Sequence, residues 1–129
     1  MSEIYEILQH SQPGYAPVTH FGQWKVAMTN HSDVSARDNL QSVAKHLESD
    51  EVFALLQGEA AVYVADGSRL PTSLERIVLR PGTALSVHKG MWHALETTPG
   101  TRILIIENEN TGSENTVSYN VPRRLFQTV

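Results

Sequence analysis

The feature that most restricts the fold of this chain is its punctuation by turn residues. Gly58, Asp66-Gly67, Pro71, Pro81-Gly82, Lys89-Gly90 and Pro99-Gly100 follow one another along the sequence, and the segments between such signals have the roughly 8–12-residue spacing of all-β sandwiches and barrels. Each of these residues bends the chain for a physical reason: glycine reaches positive φ without a steric penalty, proline presets its own φ, and aspartate bonds back to its own backbone. Such intervals suit short strands and leave no room for alternating strands and long helices. The apolar and β-branched runs between them predict strands at 24–29, 41–47, 52–57, 60–65, 75–79, 84–87, 91–95, 102–107 and 117–121. One exception is expected at the start, where Ile4, Ile7 and Leu8 have helical spacing and predict a short opening helix that Pro13-Gly14 and Pro17 end. The expected class is all-β, an antiparallel sandwich or barrel.

At 129 residues the chain suffices for one domain, 1–129, with a core over about 24–121. The absence of cysteine removes a disulfide framework, a thiolate metal site and a cysteine nucleophile together, leaving imidazole and carboxylate as metal ligands. No run approaches the roughly 18 apolar residues of a membrane span, and the acidic opening MSEIYEILQH lacks the basic-then-apolar pattern of a secretory signal, so a cytoplasmic location is expected. Fourteen acidic residues against ten basic ones, with no basic cluster beyond Arg123-Arg124, leave no electrostatic footprint for nucleic acid. A small molecule is the expected ligand. The polar segment 108–115 reads as the most mobile loop.

Candidate chemistry gathers in two stretches. In KHLESDEVFALLQGEA (45–60), His46 and Glu48 are two apart and would share one face of a strand, and Glu51 opens the next strand with Phe53 and Leu55 at the same parity. That face would set imidazole and carboxylate beside an apolar wall, with Glu51 as ligand or general base. In VHKGMWHALE (87–96), a turn at Lys89-Gly90 delivers His93 inward with Leu95 beside it and puts Trp92 on the opposite face. His93 reads as a ligand or as a hydrogen-bonded core histidine. His88 reads as a turn residue or a pocket residue, and Lys89 as a solvated charge or a receiver of a substrate carboxylate, a task Arg102 could equally perform. Trp92 reads as packing or subunit contact, and Trp24 as core.

The pattern His46-x-Glu48-x-x-Glu51, with six residues between Glu51 and Gly58, then Pro81-Gly82 and Gly90-Met91-Trp92-His93, resembles the two blocks of the cupin superfamily over roughly 24–107. The resemblance implies a double-stranded β-helix, or jelly roll, holding a divalent metal through histidines and a glutamate of the first block and a histidine of the second. Here that set would be His46, Glu48, Glu51 and His93, with Phe53, Leu55, His88, Lys89 and Arg102 about the pocket. A nitrogen and oxygen set of this kind suits zinc, manganese, nickel or iron. Two departures stand out. Glu48 replaces the usual second histidine, and the gap before Glu51 is one residue shorter than the commonest spacing, which reverses side-chain direction unless a bend restores it. The stretch 64–96 is similar to the ureidoglycolate lyase branch, which implies a metal-dependent C–N lyase in which Glu51 acts as base. A metal-free small-molecule-binding or sensor protein is the competing class. A sugar-nucleotide isomerase or epimerase would need an inward histidine–tyrosine pair, for which Tyr63 and Tyr119 are the tyrosines on predicted strands. Small jelly rolls often pair through edge strands, so a homodimer is expected.

Overall fold

The computed structural model describes residues 4–127. Ten strands run through it in chain order: β1 Gly14–Phe21, β2 Trp24–Asn30, β3 Ser42–His46, β4 Glu51–Gln57, β5 Ala60–Ala65, β6 Glu75–Val78, β7 Ala84–Val87, β8 Trp92–Thr97, β9 Arg102–Asn108 and β10 Thr116–Asn120. They form two antiparallel five-stranded sheets, one ordered β1-β2-β9-β4-β7 and the other β10-β3-β8-β5-β6. The helical content among the described residues is confined to four short 3-10 turns, and no helix is long and apolar enough to cross a membrane. The expected all-β jelly roll is what the chain forms.

Period-2 alternation explains the packing. On β9, Ile103 and Ile105 are buried, and they join Ala27, Phe53, Val62 and Val87 in the core between the two sheets. The residues of opposite parity on the second sheet make another cluster outside the barrel: Val43, Tyr63 and Trp92 are covered there by Val121, Leu125 and Phe126 of the C-terminal segment. Trp92 is therefore buried by its own chain and is not a subunit contact. Gly58 ends β4 at φ 86°, and a Cβ there would lie 2.6 Å from the Thr101 backbone, so both conformation and space demand glycine.

Three expectations are corrected. The opening helix does not form. Residues 4–13 contain no helix, and the carbonyls of His10 and Gln12 accept hydrogen bonds from Asn30 Nδ2, which holds the segment against β2. An extra strand, β1, stands where Gly14 and Pro17 had read as punctuation. Proline is tolerated because β1 is an edge strand and its register shifts between Pro17 and Thr19. Trp24 is 45 % exposed, on the outward parity of β2, rather than core.

Candidate functional site

The inward parity of β3 ends on His46, that of β4 begins on Glu51, and that of β8 begins on His93. The chain bends through 47–50 between β3 and β4, and this bend offsets the short spacing, so that His46 and Glu51 both face the interior. It is fastened from the end of β9: Asn108 N–H donates to Ser49 Oγ at 2.8 Å, and Asn108 Nδ2 donates to the Glu48 carbonyl at 2.9 Å. The turn before β8 is tied to the same place, with Gly90 N–H donating to the His46 carbonyl at 2.7 Å.

One carboxylate oxygen is the hub. Glu51 Oε1 lies 3.0 Å from His46 Nε2 and 2.9 Å from His93 Nε2. The outer nitrogens of both rings are engaged as well, His46 Nδ1 with Thr116 Oγ1 at 2.8 Å and His93 Nδ1 with the Met91 carbonyl at 3.2 Å. One ligand atom from each of His46, Glu51 and His93 falls within 4.8 Å of the other two, and the trio could hold a metal ion. Burial works to raise the proton affinity of Glu51, but the hydrogen bonds from His46 and His93 and their charge outweigh it and hold the carboxyl at about 2. The Glu51 hydrogen bond in turn raises His46 above its ordinary value, against the opposing effect of burial.

These groups open onto a cavity of about 470 Å³ at the end of the barrel between β1 and β10, with Phe53 in its wall. The Phe53 ring meets the His93 ring edge-on at 6.2 Å. Beside Glu51 on the neighbouring strand stands a second buried carboxyl, Glu107, its cross-strand partner. Tyr15 Oη donates to Glu107 Oε2 at 2.6 Å, and Lys25 Nζ lies 3.7 Å from the same oxygen while donating to the Thr111 carbonyl at 3.0 Å. Burial above all, with the negative charge of Glu51, raises Glu107 above the ordinary carboxyl value. Burial and the Glu107 hydrogen bond likewise raise Tyr15.

The structure thus brings His46, Glu51, His93 and Phe53 together and leaves the other candidates outside. Glu48 is exposed in the bend, where its Oε1 accepts from Asn110 Nδ2 at 3.2 Å. The two-residue rule that aligned it with His46 requires an unbroken strand, and β3 stops at His46. Leu55 packs into the core deeper than the cavity. His88 is exposed and pairs with Asp50, 3.2 Å from Nδ1 to Oδ2, and the exposed Lys89 gives its backbone N–H to the same carboxylate. Arg102 points outward, to the His10 carbonyl and Asn30. Of the tyrosines, Tyr63 faces away from the barrel and Tyr119 is exposed, while Tyr15 reaches the cavity from the unexpected strand β1. Glu107 had a legible signal: it continues the inward alternation of Ile103 and Ile105, so a carboxylate was due at a buried position.

No protein-family model and no curated protein matches the sequence. Solved structures do match it. A cupin-2 domain protein from Shewanella frigidimarina aligns over 78 % of this chain and 85 % of its own at 18 % identity and TM-score 0.54. A TDP-quinovose 3,4-ketoisomerase from Campylobacter jejuni aligns over 71 % and 67 % at 20 % identity and TM-score 0.56. A nucleoside dehydratase from Streptomyces, seen with uridine, aligns over 89 % and 86 % at 7 % identity and TM-score 0.60. At these identities the likeness is one of fold, and with the two sheets and the inward His46, Glu51 and His93 already in place, it shows that the chain has the cupin fold.

Proposed function

We propose that the chain binds a divalent metal ion through His46 Nε2, Glu51 and His93 Nε2 and holds a small polar ligand in the cavity that this site and Glu107 line. The orientation of His93 carries this reading. The Met91 carbonyl can only accept, so Nδ1 donates to it, and Nε2 is left to face a carboxylate oxygen 2.9 Å away. Something positive has to separate a ring lone pair from a carboxylate at that distance, a proton or a metal ion. An Nδ1–H held by a backbone carbonyl is the usual outer support of an Nε2 metal ligand. Zinc, manganese, nickel and iron all suit such a donor set. Bound there, a divalent ion supplies Lewis-acid polarisation of a ligand oxygen.

The chain's own residues divide the remaining work. Glu51, held at about 2, is a weak base near neutral pH and serves in this reading as ligand and charge anchor. Glu107, whose ionisation is opposed by burial and by the neighbouring charge of Glu51, is the second carboxyl facing the ligand, with Tyr15 fixing its orientation. Phe53 excludes water beside His93. The neighbours whose names specify uridine or a TDP-sugar support a small-molecule ligand.

A C–N lyase acting on a ureido-carboxylate would use, beyond the metal ion, a cationic side chain for the substrate carboxylate. The two residues suggested for that task, Lys89 and Arg102, do not line the cavity, and Lys25, which does, is engaged by Glu107 and Thr111. The reading therefore favours ligands bearing hydroxyl or carbonyl oxygens, with urea release from ureidoglycolate by metal-loaded protein as the result that would restore the lyase. Elemental analysis of protein purified without chelator tests the metal site: wild type is expected to carry about one equivalent, and His46→Ala and His93→Ala to lose it. Metal retained by both variants, or absent from wild type, overturns the proposal.

A further inference from the structure

The cavity beside His46, Glu51 and His93 is longer than that cluster requires. Lys25 and His46 stand at its near end, and four residues from each, at the same inward parity, Thr29 of β2 and Ser42 of β3 line it as well. At about 3.3 Å per residue, the cavity runs about 13 Å along the strands. Strand direction puts Thr29 and Ser42 at one end: β2 leads away from the cluster, beginning where Lys25 pairs with Glu107, and β3 arrives at it on His46. Between the ends the wall is apolar, made by Phe53 and Ile105 from one sheet and Ala44 and Leu95 from the other.

The far end carries hydroxyls that the protein does not use. Thr29 is 8 % exposed, and among the described residues no hydrogen bond reaches its side chain or that of Ser42. Among those residues Thr111 Oγ1 is the one side-chain atom both unpaired and sealed from solvent, so the Thr29 hydroxyl, unpaired but not sealed, opens on the cavity. Withdrawing a hydroxyl from water without a partner is costly. The surrounding inward positions avoid that cost, with Ala27 on β2 and Ile103 opposite Thr29 on β9.

We infer that Thr29 and Ser42 form a second recognition point, and that the ligand is an elongated molecule of two-ring length with an oxygen-bearing group at each end and an apolar middle. The near end rests on the proposed function, in which one ligand oxygen meets the metal ion or Glu107. The far end stands on the geometry of Thr29 and Ser42 alone. Hydroxyls both donate and accept, so they pair with a hydroxyl or carbonyl oxygen. No cation lines that end, and a carboxylate or phosphate gains no charge partner there. Two polar points across an apolar belt act as a ruler. A short ligand satisfies one of them, and a long ligand lacking the second oxygen leaves the far hydroxyls unpaired.

Terminal alkanediols test the ruler by NMR titration of the full chain. Octanediol, with a hydroxyl at each end, is expected to bind wild type about fivefold more tightly than octanol, the gain of one net hydrogen bond. The double variant Thr29→Val, Ser42→Ala is expected to bind the two equally and to keep wild-type metal content, whereas Thr29→Ser keeps the preference. Equal binding of both probes by wild type overturns the inference, as does a preference that survives in the double variant. Should the double variant not fold, Thr29→Val alone, which keeps the shape of the side chain, decides by losing most of the preference or retaining it. Repeating the titrations in chelator separates the two readings. Metal absent from wild type with the preference intact overturns the metal site and leaves the far-end pair standing, while metal present without the preference does the reverse.

Discussion

Two buried glutamates, one on each sheet, show how this chain separates structure from chemistry. Glu96, on the outward parity of β8, receives Tyr63 Oη at 2.5 Å and a two-pronged hydrogen bond from Arg76, with Arg37 at 3.8 Å. Tyr63 and Arg37 also donate to the Phe126 carbonyl, which closes the C-terminal turn over the cluster. Glu51 has two close partners, both histidines, and the group opens onto a cavity. Both carboxyls are held below the ordinary value against burial. The compensating charge differs: guanidinium keeps its proton at any relevant pH, whereas imidazole can exchange its proton for a metal ion. Permanent compensation belongs to a clasp, and exchangeable compensation to a binding site.

The difference can be broken at either end. Glu96→Ala has the largest expected effect on stability. It leaves two arginines and a buried hydroxyl without their acceptor and frees the C-terminal turn, at a cost of about 3 kcal/mol, the lower part of the range for breaking a buried pair because both arginines are partly exposed. Urea denaturation measures it, and metal content should be unchanged. His93→Ala reverses the pattern, with metal affinity falling more than ~100-fold, beyond the loss seen for outer supports of a ligand, while the fold persists. Titration with a competing chelator reads that loss.

Proton linkage sharpens the contrast in protein stripped of metal. His46 is raised above 6.5, so its stabilising contribution is complete below 6.5 and is lost as pH rises through the raised value. Glu51 is lowered from 4.5 to about 2, so its contribution is complete above 4.5 and is lost as pH falls toward 2. The thermal midpoint in chelator should therefore be highest between 4.5 and 6.5 and decline on both sides, with a divalent metal removing the alkaline decline. Glu96, with its arginines, contributes only to the acid side. A midpoint that stays level through alkaline pH in chelator would mean that the two centres do not differ in this way. Smaller still, Thr116→Val removes the hydroxyl that orients His46 and should weaken metal binding about tenfold. Glu48→Gln, in the exposed bend, should change stability by less than about 0.5 kcal/mol and leave metal content intact, as elemental analysis would show.

The turn residues, the alternation of apolar side chains and the inward placement of Glu51, Phe53 and His93 were all legible in the chain, because strand parity and the backbone needs of glycine and proline are local. All nine expected strands start and end within a residue or two of those observed, but β1 was hidden because a proline that would break a central strand is harmless at an edge. Glu48 was misplaced for a related reason: parity counts only while the strand lasts, and the bend after β3 is held by Asn108 at the end of β9 and Asn110 just beyond it, some sixty residues away. The sequence by itself determined an all-β fold and its inward histidines, since those follow from neighbours along the chain. Only the tertiary structure decided that Glu107, Tyr15 and Lys25 complete the cavity, and that the C-terminal segment covers the outer face of one sheet. Those facts depend on which strands lie side by side, and pairing between distant segments is a property of the packed barrel.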